Sequence, residues 1–182
     1  MLSREQALEL VHAHLTKKNL VKHVLAVEAI MRSLARVLRE NEEEWGLAGL
    51  LHDLDYERTA GDPANHGRIT VEMIAGLDLP PGVGRAVLAH AGHLPRNSLM
   101  DKAIYCADPI TGLIVASALM HPSKKLAGID PDFVGNRFKE KRFASGANRE
   151  AIAQCGELGL ELHEFFRISI DAMRGIAADL EL

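Results

Sequence analysis

The sequence predicts an all-α protein that folds as a single compact bundle of about eight helices. Three observations support this fold class. Apolar residues recur every three to four positions over much of the 182-residue chain. Helix-capping residues precede several of these apolar stretches. No run of useful length alternates apolar and polar residues as a β-strand does. The length suits one domain, so we expect residues 1–182 to form a single unit.

Capping residues place the helices of the N-terminal part. A capping box that begins at Ser3 predicts a first helix that runs to about Lys18, and Asn19 can cap a second helix. Asn41 can cap a third helix, which we expect to end near His52. These helices follow one another with short connections, as neighbouring helices in a bundle do.

The middle of the chain combines a loop with shorter helices. Residues 54–65 have a loop composition, and a fourth helix is expected to begin at about His66. A short fifth helix ends at His90. A sixth leads to Asp108, where Pro109 is expected to kink or end it.

Three further helical segments complete the predicted bundle. Residues 110–120 are nearly all apolar or small, which predicts a buried helix. Asp130 is a candidate N-cap with a proline at the next position. A long final helix is expected over about residues 148–179.

The composition is that of an ordinary globular protein, with 47% hydrophobic and 25% charged residues. The formal net charge of −4 gives no support for a nucleic-acid partner, and none is expected. Cys106 and Cys155 lie inside apolar helical patterns, so we expect two small buried side chains and no disulfide framework. The N-terminal residues show no apolar signal core. Together with the lack of a disulfide framework, this leads us to expect a cytoplasmic location and no membrane partner.

The functional prediction depends on histidines and aspartates. The adjacent pair His52-Asp53 alone is typical of a helix end, where His complements the helix dipole and Asp caps a turn. However, His23 lies on the preceding helix, and an antiparallel hairpin can bring it beside His52. Asp108 stands in an apolar context, where a buried carboxylate needs a partner such as a metal. Imidazole and carboxylate ligands together suit Mn, Fe, Co, Ni or Zn.

The order His23, His52-Asp53, Asp108 resembles the ligand pattern of the HD superfamily of metal-dependent phosphohydrolases. Residues 101–108 (DKAIYCAD) are similar to the stretch around the last ligand in small bacterial HD proteins, including diadenosine tetraphosphate hydrolases. Two later stretches, DPITGLIVA from Asp108 and PSKK over 122–125, resemble a subgroup of short HD proteins.

The resemblance covers about residues 19–120, which would form a metal-binding core, with 121–182 as a helical extension. It implies a compact HD-domain bundle in which the four residues hold a divalent transition metal ion. The implied activity is hydrolysis of a phosphate ester or anhydride in a nucleotide-like small molecule. The sequence departs from many HD proteins at Asp55, where they have Gly. Asp55 could shape the cleft, although loop carboxylates are usually solvated.

A second metal ion is also implied by the resemblance. In HD proteins with two metals, histidines in the places of His66 and His90 hold the second ion, and the motif aspartate, here Asp53, bridges and acts in catalysis. The alternative is that His66 caps a helix and His90 lines the cleft without binding metal. His93 is interpreted as a substrate contact, a general acid or a surface residue.

Basic residues provide candidate contacts for a phosphorylated substrate. The segment from Lys124 to Arg149 contains seven basic and three acidic residues, although most of them suit a solvated helix face. Lys124 and Lys125 are the preferred candidates because they follow the helix that starts at Asp108. Two further candidates are Lys102 and Arg68.

Two other functions fit the same residues. A related di-iron arrangement in HD proteins supports oxygenase chemistry, which His66 and His90 would serve equally well. A non-catalytic nucleotide sensor is the other alternative, and a complete ligand set argues against it. The sequence leaves the metal, the substrate and the oligomeric state open.

Overall fold

Eleven α-helices and two 3-10 segments, without any β-strand, make up the computed structural model, which describes all residues 1–182. The all-α prediction is confirmed. The α-helices are α1 Arg4–His14, α2 Lys18–Leu38, α3 Glu42–Leu51, α4 Tyr56–Thr59, α5 Arg68–Ile74, α6 Pro81–His90, α7 Leu99–Met120, α8 Pro131–Lys139, α9 Arg149–Ala153, α10 Leu162–Arg174 and α11 Ala177–Leu180. The 3-10 segments are Leu126–Gly128 and Gln154–Leu158.

Helix α7 is the central helix of the bundle. It packs against α2, α6, α8, α9 and α10. Pro109 lies inside it and does not end it, so of the two predicted outcomes, a kink or an end, the end at that residue is wrong. An interior proline costs a helix about 3 kcal/mol. The fully buried neighbours Ala107 and Ile110 hold both halves of α7 in the core, which offsets that cost.

By length and composition, α7 is the one helix that could cross a membrane. Inside the protein, however, 56% of its most apolar window is buried. It also carries Asp108 near its middle. These properties are typical of the core helix of a folded domain.

The predicted long final helix is wrong. Helix α9 ends at Ala153 and passes into a 3-10 segment, and α10 and α11 follow as separate helices. Glycines lie in these interruptions, at positions 156, 159 and 175. The apolar periodicity continues across the breaks because each piece packs on the same core, but glycine disfavours a continuous helix.

Short elements also differ from expectation, since α4 lies within the predicted loop over 54–65 and α5 begins at Arg68.

Close packing of α2 against α3 determines where the functional site forms. Gly49 on α3 faces α2, and a Cβ atom at this position would lie 2.9 Å from the Cα atom of Glu28. The absence of a side chain therefore lets the two helices approach closely. His23 on α2 and His52 at the end of α3 meet as a result, with ring centroids 5.3 Å apart.

Candidate metal centre

Four histidines and two aspartates converge at one end of this helix pair. Five parts of the chain supply them: His23 comes from α2, His52 and Asp53 from the end of α3, His66 from the loop before α5, His90 from the last residue of α6, and Asp108 from the middle of α7. All six residues that the sequence analysis assigned to metal binding are thus brought together. Their role as ligands is taken up below as a proposal.

The carboxylate of Asp53 lies between two pairs of histidines. Its Oδ2 atom is 3.5 Å from Nε2 of His23 and 3.5 Å from Nε2 of His52. Its Oδ1 atom is 3.4 Å from Nε2 of His66 and 3.5 Å from Nε2 of His90. Each oxygen of Asp53 therefore faces a different pair of histidines.

The spacing of the other ligand atoms fits metal coordination. Nε2 of His23 is 3.2 Å from Oδ1 of Asp108, and the Nε2 atoms of His66 and His90 are also 3.2 Å apart. With metal–ligand bonds of about 2.1 Å, two ligand atoms lie about 3.0 Å apart at a right angle and about 3.4 Å apart at a tetrahedral angle. One group of candidate ligands is His23, His52 and Asp108, and another is His52, Asp53 and His90; within each group the ligand atoms lie within 4.8 Å of one another.

Backbone carbonyls fix the orientation of two histidines. Nδ1 of His52 lies 2.8 Å from the carbonyl oxygen of Gly49, and Nδ1 of His90 lies 2.6 Å from that of Val87. Because a carbonyl only accepts, Nδ1 donates in both cases. The Nε2 atom of each neutral ring then presents its lone pair to the centre, as metal-binding histidines do.

Side chains perform the same task for the other two histidines. Nδ1 of His66 lies 2.9 Å from Oδ1 of Asp55. Nδ1 of His23 lies 3.0 Å from the hydroxyl of Thr111, and this hydroxyl donates to the carbonyl of Asp108, 2.8 Å away. The Thr111 oxygen is therefore an acceptor for His23, which leaves Nε2 of His23 directed at Asp53 and Asp108.

The buried Nε2 atom of His52 gives an independent test of whether a metal fits. His52 is fully buried, and its Nε2 atom has no hydrogen-bond partner. An unsatisfied buried polar atom costs about 1–3 kcal/mol. A metal ion bound to the lone pair would remove this cost, so the donor set fits a divalent transition metal ion.

The charge states of His52 and Asp53 also suit metal binding, whereas His23 must release a proton when it binds an ion. Burial lowers the pKa of His52 to about 4, which keeps this ring neutral. Burial alone would raise the pKa of Asp53, but His52, His23 and His90 outweigh it and hold the pKa well below its ordinary value. Burial also opposes protonation of His23, yet its bonds to Asp108 and Asp53 prevail and raise its pKa to about 10 in the metal-free protein.

Asp55 supports His66 from inside the protein, a position that its loop sequence did not reveal. The expectation of a solvated loop carboxylate is wrong, because Asp55 is fully buried. Besides its bond to His66, it accepts hydrogen bonds from the backbone amides of Gly67 at 2.7 Å and Thr70 at 2.9 Å. Burial would raise its pKa, but the bonds from His66 and from these amides lower it.

The conformation of Gly67 makes this arrangement possible. Its φ of +77° is in the region that favours glycine, and a Cβ atom would lie 2.9 Å from that of Ala91. The sequence therefore contained two signals for the contacts of Asp55 with His66 and the backbone after it. One is a glycine directly after His66, and the other is an acid two positions after Asp53. Only the fold shows that they belong together.

The metal centre opens into a cleft of about 480 Å³. Its walls combine the ligands with aromatic, apolar and small residues: Leu20, His23, Asp53, Tyr56, His66, His90, Tyr105, Asp108, Pro109, Gly146, Asn148 and Ala151. No lysine or arginine lines it. The aromatic and apolar part of the wall faces the same space as the candidate ligands, which suits a substrate with an organic portion.

Three of the five predicted substrate contacts do not line the cleft, and the structure shows where their side chains lie instead. Lys102 pairs with Glu157, with 3.5 Å between nitrogen and oxygen. Arg68 is exposed on α5. His93 donates from Nε2 to the carbonyl oxygen of His66 at 2.8 Å, so it supports the segment that carries His66.

The other two predicted contacts, Lys124 and Lys125, are exposed beyond the far end of α7. Because Pro109 does not end the helix, α7 continues for about 18 Å after Asp108. The chain reaches both lysines only after Met120. The expectation that they border the cleft is therefore not met.

Comparison with known proteins agrees with this geometry. A family model described as HD domain matches residues 20–121, which is more than half of the chain. Ribonuclease Y of Sulfurovum sp. (strain NBC37-1) is 26% identical over 136 residues, which is 73% of this chain and 27% of ribonuclease Y. No solved structure matches the chain. The matched region contains His23, His52-Asp53 and Asp108, and the chain belongs to the HD domain family.

Proposed function

We propose that the protein is a metal-dependent phosphohydrolase that acts on a phosphate ester or anhydride of a small, nucleotide-like molecule. The main observation in support is the position of Asp53, whose two oxygens face different histidine pairs. In this proposal His23, His52, Asp53 and Asp108 hold a first divalent ion. His66 and His90 hold a second, which Asp53 shares.

Metal ions bound here would lower the pKa of a bound water molecule and polarise a phosphoryl oxygen. The chain's own residues prepare the site for this chemistry. His52 stays neutral because it is buried, and Asp53 stays ionised because His52, His23 and His90 lower its pKa. Two aspartates neutralise only part of the charge of two divalent ions, so the loaded centre attracts an anionic phosphoryl group.

The cleft wall favours an organic substrate portion of modest size. Tyr56 and Tyr105 provide aromatic surface, and Leu20 and Pro109 add apolar surface. Aromatic side chains contribute large contact areas for planar groups. The absence of Lys and Arg from the lining and the net charge of −4 support a small molecule over a long nucleic acid.

The similarity to ribonuclease Y makes RNA a second substrate class worth testing. RNA phosphodiesters are phosphate esters, and hydrolysis of either substrate uses the same metal chemistry. The chain covers only 27% of ribonuclease Y, so a short RNA belongs in the substrate panel as a comparison.

Metal analysis of protein purified without chelator tests the proposal first. We expect one or two equivalents of a transition metal in the wild type. His52→Ala should lose metal, whereas His12→Ala should keep it because His12 is exposed on α1. A panel of phosphomonoesters, phosphodiesters, diphosphates and short RNA, assayed with Mn, Fe, Co, Ni and Zn, then tests turnover.

Three results would contradict the proposal. Equal metal content in both variants would show that the cluster does not bind the ion. Oxygen uptake by an iron-loaded protein, with a coupled-iron spectrum and no phosphate release, would favour the oxygenase alternative. Tight nucleotide binding without turnover in any metal would favour a sensor.

A further inference from the structure

The metal centre lacks a cationic group for any second phosphate of its substrate. Two ions can neutralise the phosphoryl group that reacts, but another phosphate needs donors of its own. No Lys or Arg lines the cleft, and the lysines expected at its border lie elsewhere. A cationic side chain that contacts a second phosphate must therefore reach it from outside the lining of the cleft.

Arg96 occupies such a position. Its guanidinium carbon lies 3.8 Å from the centroid of the Tyr105 ring, and Tyr105 lines the cleft. Tyr105 precedes Asp108 by three residues on α7, a spacing that places both side chains on one face of the helix. The ring on which Arg96 stacks therefore lies on the same helix face as Asp108 and in the wall of the cleft.

Arg96 also differs from the other partly buried arginines, because it forms no ion pair and no hydrogen bond. Arg85 pairs with Asp101, and Arg149 donates to backbone carbonyls, including that of Ala147. The guanidinium of Arg96 thus has donors that remain uncommitted.

The arginine-lined groove between α2 and α10 shows the contrast. Arg4 and Arg32 both bind the buried carboxylate of Glu28, and Arg36 binds Glu42. The charge of that groove is satisfied within the protein. Arg96 is therefore the stronger candidate for an external anion.

We propose that Arg96, stacked on Tyr105, binds a second phosphate group of the substrate, which makes the substrate class a molecule with two phosphates. This inference rests on the proposed function, which assigns the first phosphoryl group to the metal centre. An arginine stacked on a ring keeps its N–H edge free, and that edge matches the oxygens of a phosphate in a bidentate contact.

Ligands that cannot be hydrolysed test this inference separately from catalysis. The probes are α,ω-alkanebisphosphonates with two to five methylene groups, each paired with the monophosphonate of the same chain length. Their carbon–phosphorus bonds resist hydrolysis. Binding is measured by calorimetry on the metal-loaded protein, and the metal content is determined after each titration to exclude removal of metal.

We expect the wild type to bind at least one bisphosphonate about tenfold more tightly than its monophosphonate, since a charge-assisted contact has that strength. Arg96→Ala should abolish the difference and leave monophosphonate binding unchanged. Tyr105→Leu should reduce it, because the guanidinium loses its support, whereas Tyr105→Phe should preserve it.

Arg39→Asn is the matched control. Arg39 follows the last residue of α2, about 24 Å along that helix axis from His23. Its φ of 60° suits asparagine, so the change removes a charge without backbone strain. This variant should retain the preference for the bisphosphonate.

Two results would overturn the inference: a wild type without any preference for two phosphates, or an Arg96→Ala variant that keeps the wild-type preference. Failure of the proposed function gives a different pattern. In that case the loaded protein hydrolyses no member of the substrate panel, while the preference and its loss in Arg96→Ala persist.

Discussion

Oδ1 of Asp55 lies 2.9 Å from Nδ1 of His66, and this contact determines which nitrogen of His66 faces the candidate metal centre. The bond holds the proton on Nδ1, so Nε2 is directed at Asp53 and His90. The same carboxylate binds the amides of Gly67 and Thr70. One buried side chain thus fixes both the ring and the start of α5.

Replacement of Asp55 should weaken the second metal position selectively. In Asp55→Ala, His66 loses its anchor, and we expect the affinity for the second ion to fall by about 10–100-fold, as for other outer partners of metal ligands. Asp55→Asn keeps one acceptor oxygen and should lose less. Titration with a competing chelator, followed by metal analysis, measures the two affinities separately.

The matched control for this experiment is Asp62→Ala, which removes an exposed carboxylate from the same loop. It should leave both affinities unchanged. Equal loss of both ions in Asp55→Ala would contradict the selective role, because it would indicate general disruption of the site.

The candidate ligands could be identified from sequence, whereas the residues that position them could not. His23, His52-Asp53 and Asp108 are identified by residue type, helical placement and resemblance to a family. Asp55 is equally important for the site, but its role depends on Gly67 and the fold of a loop that has no periodic pattern. Loop geometry of this kind is set by tertiary contacts and is therefore absent from local sequence rules.

The accuracy of the predicted helix boundaries was limited for a related reason. Proline and glycine change the local preference of the backbone by a few kcal/mol, and packing decides whether that preference prevails. At Pro109 the buried residues on either side prevailed and α7 continued. Between α9 and α10 they did not: α9 ends at Ala153, and Gly159 ends the 3-10 segment that follows. The sequence shows the conflict in each case but not its outcome.

The lysines after α7 should have no role in catalysis. In the double variant Lys124→Ala/Lys125→Ala, we expect KM and kcat for any hydrolysed substrate to stay within about twofold of the wild type. Both side chains are exposed, and they follow a helix that extends about 18 Å beyond Asp108. Steady-state kinetics measure this directly. A raised KM at unchanged metal content would contradict this prediction, because it would show that these lysines contact the substrate.

The two cysteines should be unreactive in the folded protein. Both are buried; burial raises the pKa of the Cys155 thiol to about 11 and raises that of Cys106 still further. At pH 8 few thiolates therefore form, and the reagent has little access to them. With a chromogenic disulfide reagent, native protein should react slowly and urea-unfolded protein should release two equivalents rapidly. Fast reaction of the native protein would contradict the described burial.

Substitution of His52 should separate stability from metal binding. In the metal-free protein this ring is neutral, because burial lowers its pKa to about 4, and its Nε2 atom has no partner. His52→Leu removes this unsatisfied atom without removing a charge from beside Asp53. The change also removes the hydrogen bond from Nδ1 of His52 to the carbonyl oxygen of Gly49, so we expect the stability of the metal-free variant to lie within about 1 kcal/mol of the wild type.

Addition of metal should make the wild type clearly more stable than the His52→Leu variant. A ligand at 100 times its dissociation constant stabilises the folded state by about 2.7 kcal/mol, and the variant should gain far less because the first ion has lost a ligand. Urea unfolding of both proteins, with and without metal, measures the two effects. His12→Leu, at an exposed position on α1, should keep the full stabilisation by metal. A metal-free His52→Leu protein that is several kcal/mol less stable would show that this histidine supports the fold itself, and the unpartnered nitrogen would then no longer count in favour of a metal.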